Sequence, residues 1–208
     1  YSPDVFPILE GEYSVVCSTD FDSDGWPDLF VGGRSIPGGY PLAPKSYLLK
    51  NNRGVYKDVS ESLGIPDSLG LVKDAKWVDL NSDGRQDLVV VGEYMAPQIF
   101  LFEKKKFIRA TQDLSHMSGM WNCIEAGDLD GDGDVDLVLG NIGLNSRFSA
   151  SIDKPFRIYY SDIDSNGTLD AIPTYYVRNK ETLISSRDVF LDQVFTLRAT
   201  FNSYTSYA

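Results

Sequence analysis

The chain has 208 residues, of which 42% are hydrophobic and 12% aromatic, proportions that suit a folded globular protein with a sizeable core. A formal net charge of −11 argues against nucleic acid as a partner and against attraction to anionic lipid, and no apolar run approaches the ~20 residues of a membrane-spanning helix. The opening Tyr1-Ser-Pro lacks an initiator Met, so a processed chain or a fragment is expected.

Taken in order, strand-like runs recur in pairs around Asp-rich loops. Tyr13–Cys17 leads into Asp20-Phe-Asp-Ser-Asp-Gly-Trp-Pro-Asp28 and out through Leu29–Val31. A second hairpin follows, Ser46–Lys50 and Val55–Val59 about a turn at Asn51–Gly54. Ala75–Val78 then enters Asp79-Leu-Asn-Ser-Asp-Gly-Arg-Gln-Asp87 and leaves through Leu88–Val91, followed by Gln98–Phe102, a turn at Glu103–Lys106, and Phe107–Ala110. Such short runs, rich in β-branched and aromatic residues and bounded by Gly and Asp, read as strands. Two hairpins in ~50 residues make a four-stranded unit, the size of a propeller blade.

The later repeats are less regular. Trp121–Ile124, Asp128-Leu-Asp-Gly-Asp-Gly-Asp-Val-Asp136 and Leu137–Leu139 form the third hairpin, and polar sequence then runs to Lys154 with no second hairpin. Phe156–Tyr160, Asp162-Ile-Asp-Ser-Asn-Gly-Thr-Leu-Asp170 and Ala171–Val177 form the fourth. From Ser186 to Phe201, Phe190, Leu191, Val194, Phe195 and Leu197 recur at helical spacing behind a possible N-cap at Ser185 or Ser186, which predicts one amphipathic helix. The final residues carry no stop signal, so a longer chain is expected.

The loops carry the chemistry. Their starts lie 59, 49 and 34 residues apart, and together they hold half of the 30 acidic residues. Two like charges 4 Å apart repel by roughly 4 kcal/mol at an effective dielectric of about 20, so such turns are costly without a cation. Oxygen donors at alternate positions followed by Gly suit a hard ion, Ca²⁺ above all. The second loop position is always apolar (Phe21, Leu80, Leu129, Ile163) and is expected to point into the core.

Four copies of Asp-x-Asp/Asn-x-Asp/Asn-Gly-x-x-Asp, with a Tyr-Leu-x-x-Asn-x-Gly-x-Tyr-x-Asp-Val hairpin after the first, resemble FG-GAP/VCBS repeats over about residues 11–177. The resemblance implies an all-β fold: three to four blades of a larger, seven-bladed integrin-α-like β-propeller, over residues 1–184, with a helical segment and tail at 185–208. It also implies up to four Ca²⁺ ions, held by side chains at loop positions one, three, five and nine and a carbonyl at seven. Carried over, the sites are Asp20, Asp22, Asp24, Asp28 and the Trp26 carbonyl; Asp79, Asn81, Asp83, Asp87 and that of Arg85; Asp128, Asp130, Asp132, Asp136 and that of Asp134; Asp162, Asp164, Asn166, Asp170 and that of Thr168. Asn at a ligand position removes a charge, so the second and fourth sites should bind more weakly.

Gly140–Phe148 and the tail from Ser186 look like long exported VCBS-repeat proteins of Bacteroidetes. That likeness implies a cell-surface, outer-membrane-associated location and a protein or glycan ligand, within a nutrient-uptake complex. A calcium-dependent polysaccharide lyase is the enzymatic alternative.

Other readings have less to stand on. An EF-hand needs Glu at loop position twelve, where this chain has Val31, Val90, Leu139 and Pro173. The only histidine, His116, has no acid or nucleophile motif beside it, so no catalytic residue is assigned. Cys17 and Cys123 read as buried free thiols, and Trp26, Trp77 and Trp121 as core, with Trp26 the one to expect at the surface.

Overall fold

The structure, a computed structural model, describes residues 5–110, 114–143, 148 and 150–207. Residues 144–147 and 149, part of the irregular stretch after the third repeat, lie outside the described residues. The chain divides into two compact units, Tyr1–Pro37 with Leu42–Ile142, and Gly38–Pro41 with Gly143–Ala208.

The first unit begins with an antiparallel sheet in chain order: β1 (Glu12–Thr19), β2 (Asp28–Ser35), β3 (Tyr47–Asn52) and β4 (Val55–Asp58). A short helix, α1 (Ser60–Leu63), ends on Gly64 at φ 90°. A Cβ there would also lie 2.6 Å from the Phe107 carbonyl oxygen, so both backbone angle and space demand glycine. The same meander repeats in β5 (Leu71–Val78), β6 (Asp87–Met95), β7 (Gln98–Glu103) and β8 (Lys106–Arg109). The third hairpin, β9 (Gly119–Gly127) and β10 (Asp136–Asn141), joins the second sheet where Met120 and Gly119 of β9 pair with Glu93 and Met95 of β6. Every hairpin expected from the sequence is present, and the fold is an all-β repeat of antiparallel sheets.

Successive side chains on a strand face opposite sides, and that decides what lies between the sheets. On β6, Leu88 and Val90 share a core with Phe30 and Leu48 of the first sheet. Val89 and Val91 share another with Ile124, Leu137 and Leu139 of the third hairpin. The run Leu88–Val91 is continuously apolar because its sheet is covered on both faces. Polar bonds run between repeats as well: Ser14 Oγ donates to Val72 O at 2.6 Å, Trp77 Nε1 to Cys17 O at 3.2 Å, and Ile124 N to Asp74 Oδ2 at 2.8 Å.

The apolar second loop position behaves differently from one repeat to the next. Phe21 is buried against Trp77, Phe102 and Phe107, with centroids 6.4, 5.6 and 5.6 Å away, and Leu80 packs against the Val89–Ile124 cluster. Leu129 is 65% exposed and Ile163 37%, contrary to the expectation of a core position. Phe21 is buried and Leu80 partly buried by the following repeat, so their burial is tertiary and not a property of the loop. Cys17 is partly buried against the first core, whereas Cys123 is exposed and not the buried thiol expected. Trp77 and Trp121 pack against the cores, and Trp26 is 42% exposed.

The second unit holds a three-stranded antiparallel sheet, β11 (Arg157–Ser161), β12 (Asp170–Val177) and β13 (Lys180–Leu183). The last strand was not anticipated from the sequence. The single helix expected over 186–201 is corrected to α2 (Arg187–Gln193) and a 3-10 turn at Phe195–Ala199, followed by α3 (Tyr204–Tyr207). The chain leaves the helix at Val194 (φ −119°, ψ 77°), which is fully buried beside Phe190 and Leu191. Ile172, Leu183, Leu197, Phe201 and Tyr207 close around them. A continuous helix would carry Leu197 and Phe201 onward along its axis; the break lets them fold back.

Candidate metal centres

All four Asp loops are tied by one pattern of hydrogen bonds. The first-position carboxylate accepts two backbone N–H groups, one of them from the sixth-position glycine: Gly25, Gly84, Gly133 and Gly167 donate to Asp20, Asp79, Asp128 and Asp162 at 2.8, 2.8, 3.1 and 3.0 Å. The other donor is the fifth residue, except in the third loop, where it is Gly131 in the fourth position. The fifth-position side chain accepts the N–H two residues on, with Trp26 to Asp24, Arg85 to Asp83, Asp134 to Asp132 and Thr168 to Asn166 all within 2.8–3.0 Å. The ninth-position Oδ2 reaches back to the second residue, accepting from Phe21, Leu80, Leu129 and Ile163 at 2.9–3.3 Å. These turns are possible because the fourth and sixth residues both have positive φ: Ser23, Ser82, Gly131 and Ser165 at 56–81°, and the four glycines at 81–93°.

The sixth-position glycine is therefore a clean point of test. A Cβ on Gly84 would meet nothing within 4 Å, so Gly84→Ala carries left-handed strain alone. Denaturant unfolding is expected to show a loss of about 1–2 kcal/mol, with binding chemistry untouched; an unchanged midpoint would mean the loop relaxes around the methyl.

Three loops bring carboxylates together. Oxygens of Asp20, Asp22 and Asp28 lie within 4.8 Å of one another, as do those of Asp128, Asp130 and Asp136, and those of Asp162, Asp164 and Asp170. Ligands 2.3–2.6 Å from a shared ion stand at most about 5 Å apart, so these trios have the spacing and the all-oxygen chemistry of a hard-cation site. Asp164 Oδ1 is buried with no hydrogen-bond partner among the described residues, an acceptor that a cation would satisfy.

The fifth-position Asp24 and Asp132 stand outside the trios, and they and Asn166 each hold the turn at position seven. In the first loop Lys50 reaches across from β3 to Asp22 and Asp24, and its ammonium holds the Asp24 carboxyl below the usual range. In the second loop Asn81 occupies the third position and Asp83 pairs with Arg85 at 2.7 Å, and no carboxylate trio converges there among the described residues.

The ninth position has a second role that sequence reasoning missed. Asp28 Oδ1 accepts Asn51 N at 2.8 Å and Asp87 Oδ1 accepts Phe102 N at 2.8 Å, so each carboxylate joins its loop to the third strand of its sheet. Both are completely buried; burial pushes the Asp28 carboxyl up to about 6 and raises that of Asp87. The available signal was the constant spacing of Asp ahead of an apolar run, but its partner lies 23 or 15 residues away.

His116 is exposed. The comparisons agree with the loop geometry. The profile of the FG-GAP-like repeat matches the chain twice, over residues 20–90 and 79–139, each match opening at an Asp loop and closing on the strand behind the next. No curated protein matches the chain. The matched residues span more than half of the chain and include three of the four loops, and the chain belongs to the FG-GAP-like repeat family.

Proposed function

We propose that the chain is a calcium-stabilised, extracellular binding or scaffolding module built of β-propeller blades, in which the Asp loops clasp hairpins and the ligand, protein or glycan, is taken elsewhere. The observation that carries this reading is the convergence of three carboxylates in each of three loops, with a buried Asp164 oxygen in the last of them that has no hydrogen-bond partner among the described residues. Each loop is closed by its own backbone, so the ion serves to hold strands rather than to activate water. FG-GAP repeats are typical of extracellular proteins, and no helix among the described residues is long and apolar enough to cross a membrane. Outer-membrane association and membership of a nutrient-uptake complex rest on the sequence likeness to exported VCBS-repeat proteins.

Calorimetric titration of Ca²⁺ into the chelated chain tests the sites. The reading expects saturable binding at up to four sites, weaker where Asn replaces Asp. Asp130→Ala removes a carboxylate of the trio and is expected to weaken its site by about tenfold or more. Asp134, whose exposed side chain belongs to no trio, offers only its carbonyl, so Asp134→Ala should stay within about threefold. Equal losses in the two variants, or no binding at all, would overturn the assignment.

A further inference from the structure

The third repeat lacks a part that its two predecessors possess. β2 is paired on both edges, with β1 and with β3 through Leu29↔Leu49, Phe30↔Leu48 and Val31↔Tyr47. β6 is likewise flanked by β5 and by β7 through Leu88↔Phe100, Val89↔Ile99 and Val90↔Gln98. The equivalent residues of β10 are Leu137, Val138 and Leu139. Their strand pairs with β9 alone and ends its sheet among the described residues.

Two further differences mark the same edge. Val138 is 51% exposed, whereas its equivalents Phe30 and Val89 are fully buried. Asp136 Oδ2 accepts Leu129 N as its relatives do, but Oδ1, which in Asp28 and Asp87 accepts an N–H from the third strand, has no donor among the described residues.

We propose that the outer edge of β10 accepts an extended apolar strand from a partner polypeptide, pairing antiparallel with Leu137–Leu139 and donating a backbone N–H to Asp136. An unpaired edge with its hydrogen-bonding groups exposed is a template for such addition. The chemistry of the occupant follows from the strands that fill this place in the first two sheets, Tyr47-Leu-Leu and Gln98-Ile-Phe, each setting apolar residues against the central strand. In the first sheet the next residue is Lys50, which reaches the third- and fifth-position carboxylates Asp22 and Asp24. The equivalent in the second sheet is Leu101, beside a loop with three carboxylates. The third loop has five and keeps a net negative charge even around one divalent ion, so a basic residue at that point of the incoming strand is attracted to it. This charge complementarity favours a basic partner over a second copy of a chain carrying −11. The thirteen described strands are already placed in the three sheets, none but β9 beside β10. Backbone pairing of this kind does not depend on an ion in the loop.

The probe is the fluorescein-labelled peptide of residues 45–52, Lys-Ser-Tyr-Leu-Leu-Lys-Asn-Asn, titrated into the full chain by anisotropy, with amide exchange followed at 137–141. In the first sheet Asn51 N points to β2, whereas Leu48 N points away to Ser60 Oγ at 2.8 Å. N–H groups of alternate residues face opposite edges, so N-methylation of Leu49 and Asn51 is expected to abolish binding, and N-methylation of Leu48 and Lys50 to leave it within about twofold. Amides of 137–141 should exchange at least about tenfold more slowly with the unmodified peptide. Binding by both methylated peptides, by neither, or without slowed exchange there would overturn the proposal. So would sedimentation of the chain alone as a dimer with 137–141 already protected, which would make a second copy the occupant.

Discussion

Chelation with EDTA is expected to lower the thermal midpoint of this chain by about 5–10 °C for each calcium site emptied. A ligand that binds only the folded state at a free concentration of 100 times its Kd contributes about 2.7 kcal/mol, and 1 kcal/mol moves the midpoint of a domain of this size by roughly 2–4 °C. The loops give a physical reason for so large an effect. Asp28 and Asp87 are fully buried and Asp170 nearly so, and each shares its loop with other carboxylates. Without a cation, burial holds the Asp28 carboxyl up to about 6, so ionising it at neutral pH works against the fold. Scanning calorimetry with Ca²⁺, then with EDTA, then with Ca²⁺ restored is the measurement. A midpoint unmoved through all three would sink the ion reading of the loops.

Asp87→Ala is expected to be the most damaging single substitution in the second sheet. It removes the acceptor for Leu80 N at 3.1 Å and for Phe102 N at 2.8 Å, the latter inside the core. Each stranded donor costs about 1–3 kcal/mol, for a total of roughly 2–6 kcal/mol, a large share of the 5–15 kcal/mol by which a domain is ordinarily stable. Asp136→Ala is its control. That carboxylate is only partly buried, and the one N–H it holds, from exposed Leu129, is open to water. Its loss should cost under about 1.5 kcal/mol. Urea unfolding of both variants in EDTA separates this bond from any ion bound nearby. Equal costs would mean that the Asp87–Phe102 bond adds nothing to stability and position nine does not stitch the loop to the third strand.

The two expectations rest on features of different legibility. That Asp20, Asp128 and Asp162 each open a turn around a candidate ion could be read directly, because donor, acceptor and left-handed residue all fall within nine positions. The Asp28–Asn51 and Asp87–Phe102 bonds could not, because their donors arrive from another hairpin. The helix over 186–201 shows the converse. Its periodicity was real, and α2 forms, but Val194 leaves the helix so that Leu197 and Phe201 can return to Phe190. Hydrophobic spacing indicates which residues want burial and is silent on whether one straight rod can bury them.

The sequence alone determined the all-β repeat, the four loops and the hairpins on either side of them. These follow from interactions between residues close in the chain, where alternation, turn chemistry and charge repulsion act without reference to anything distant. Only the tertiary structure decided which copies of one motif are core and which are surface. Phe21 is buried, Leu80 partly buried and Leu129 exposed because a following sheet covers the first two. Among the described residues, Leu137–Leu139 of β10 pair on one edge only, where β2 and β6 have a third strand. A repeat carries its fold in its own residues, but its burial is set by its neighbours.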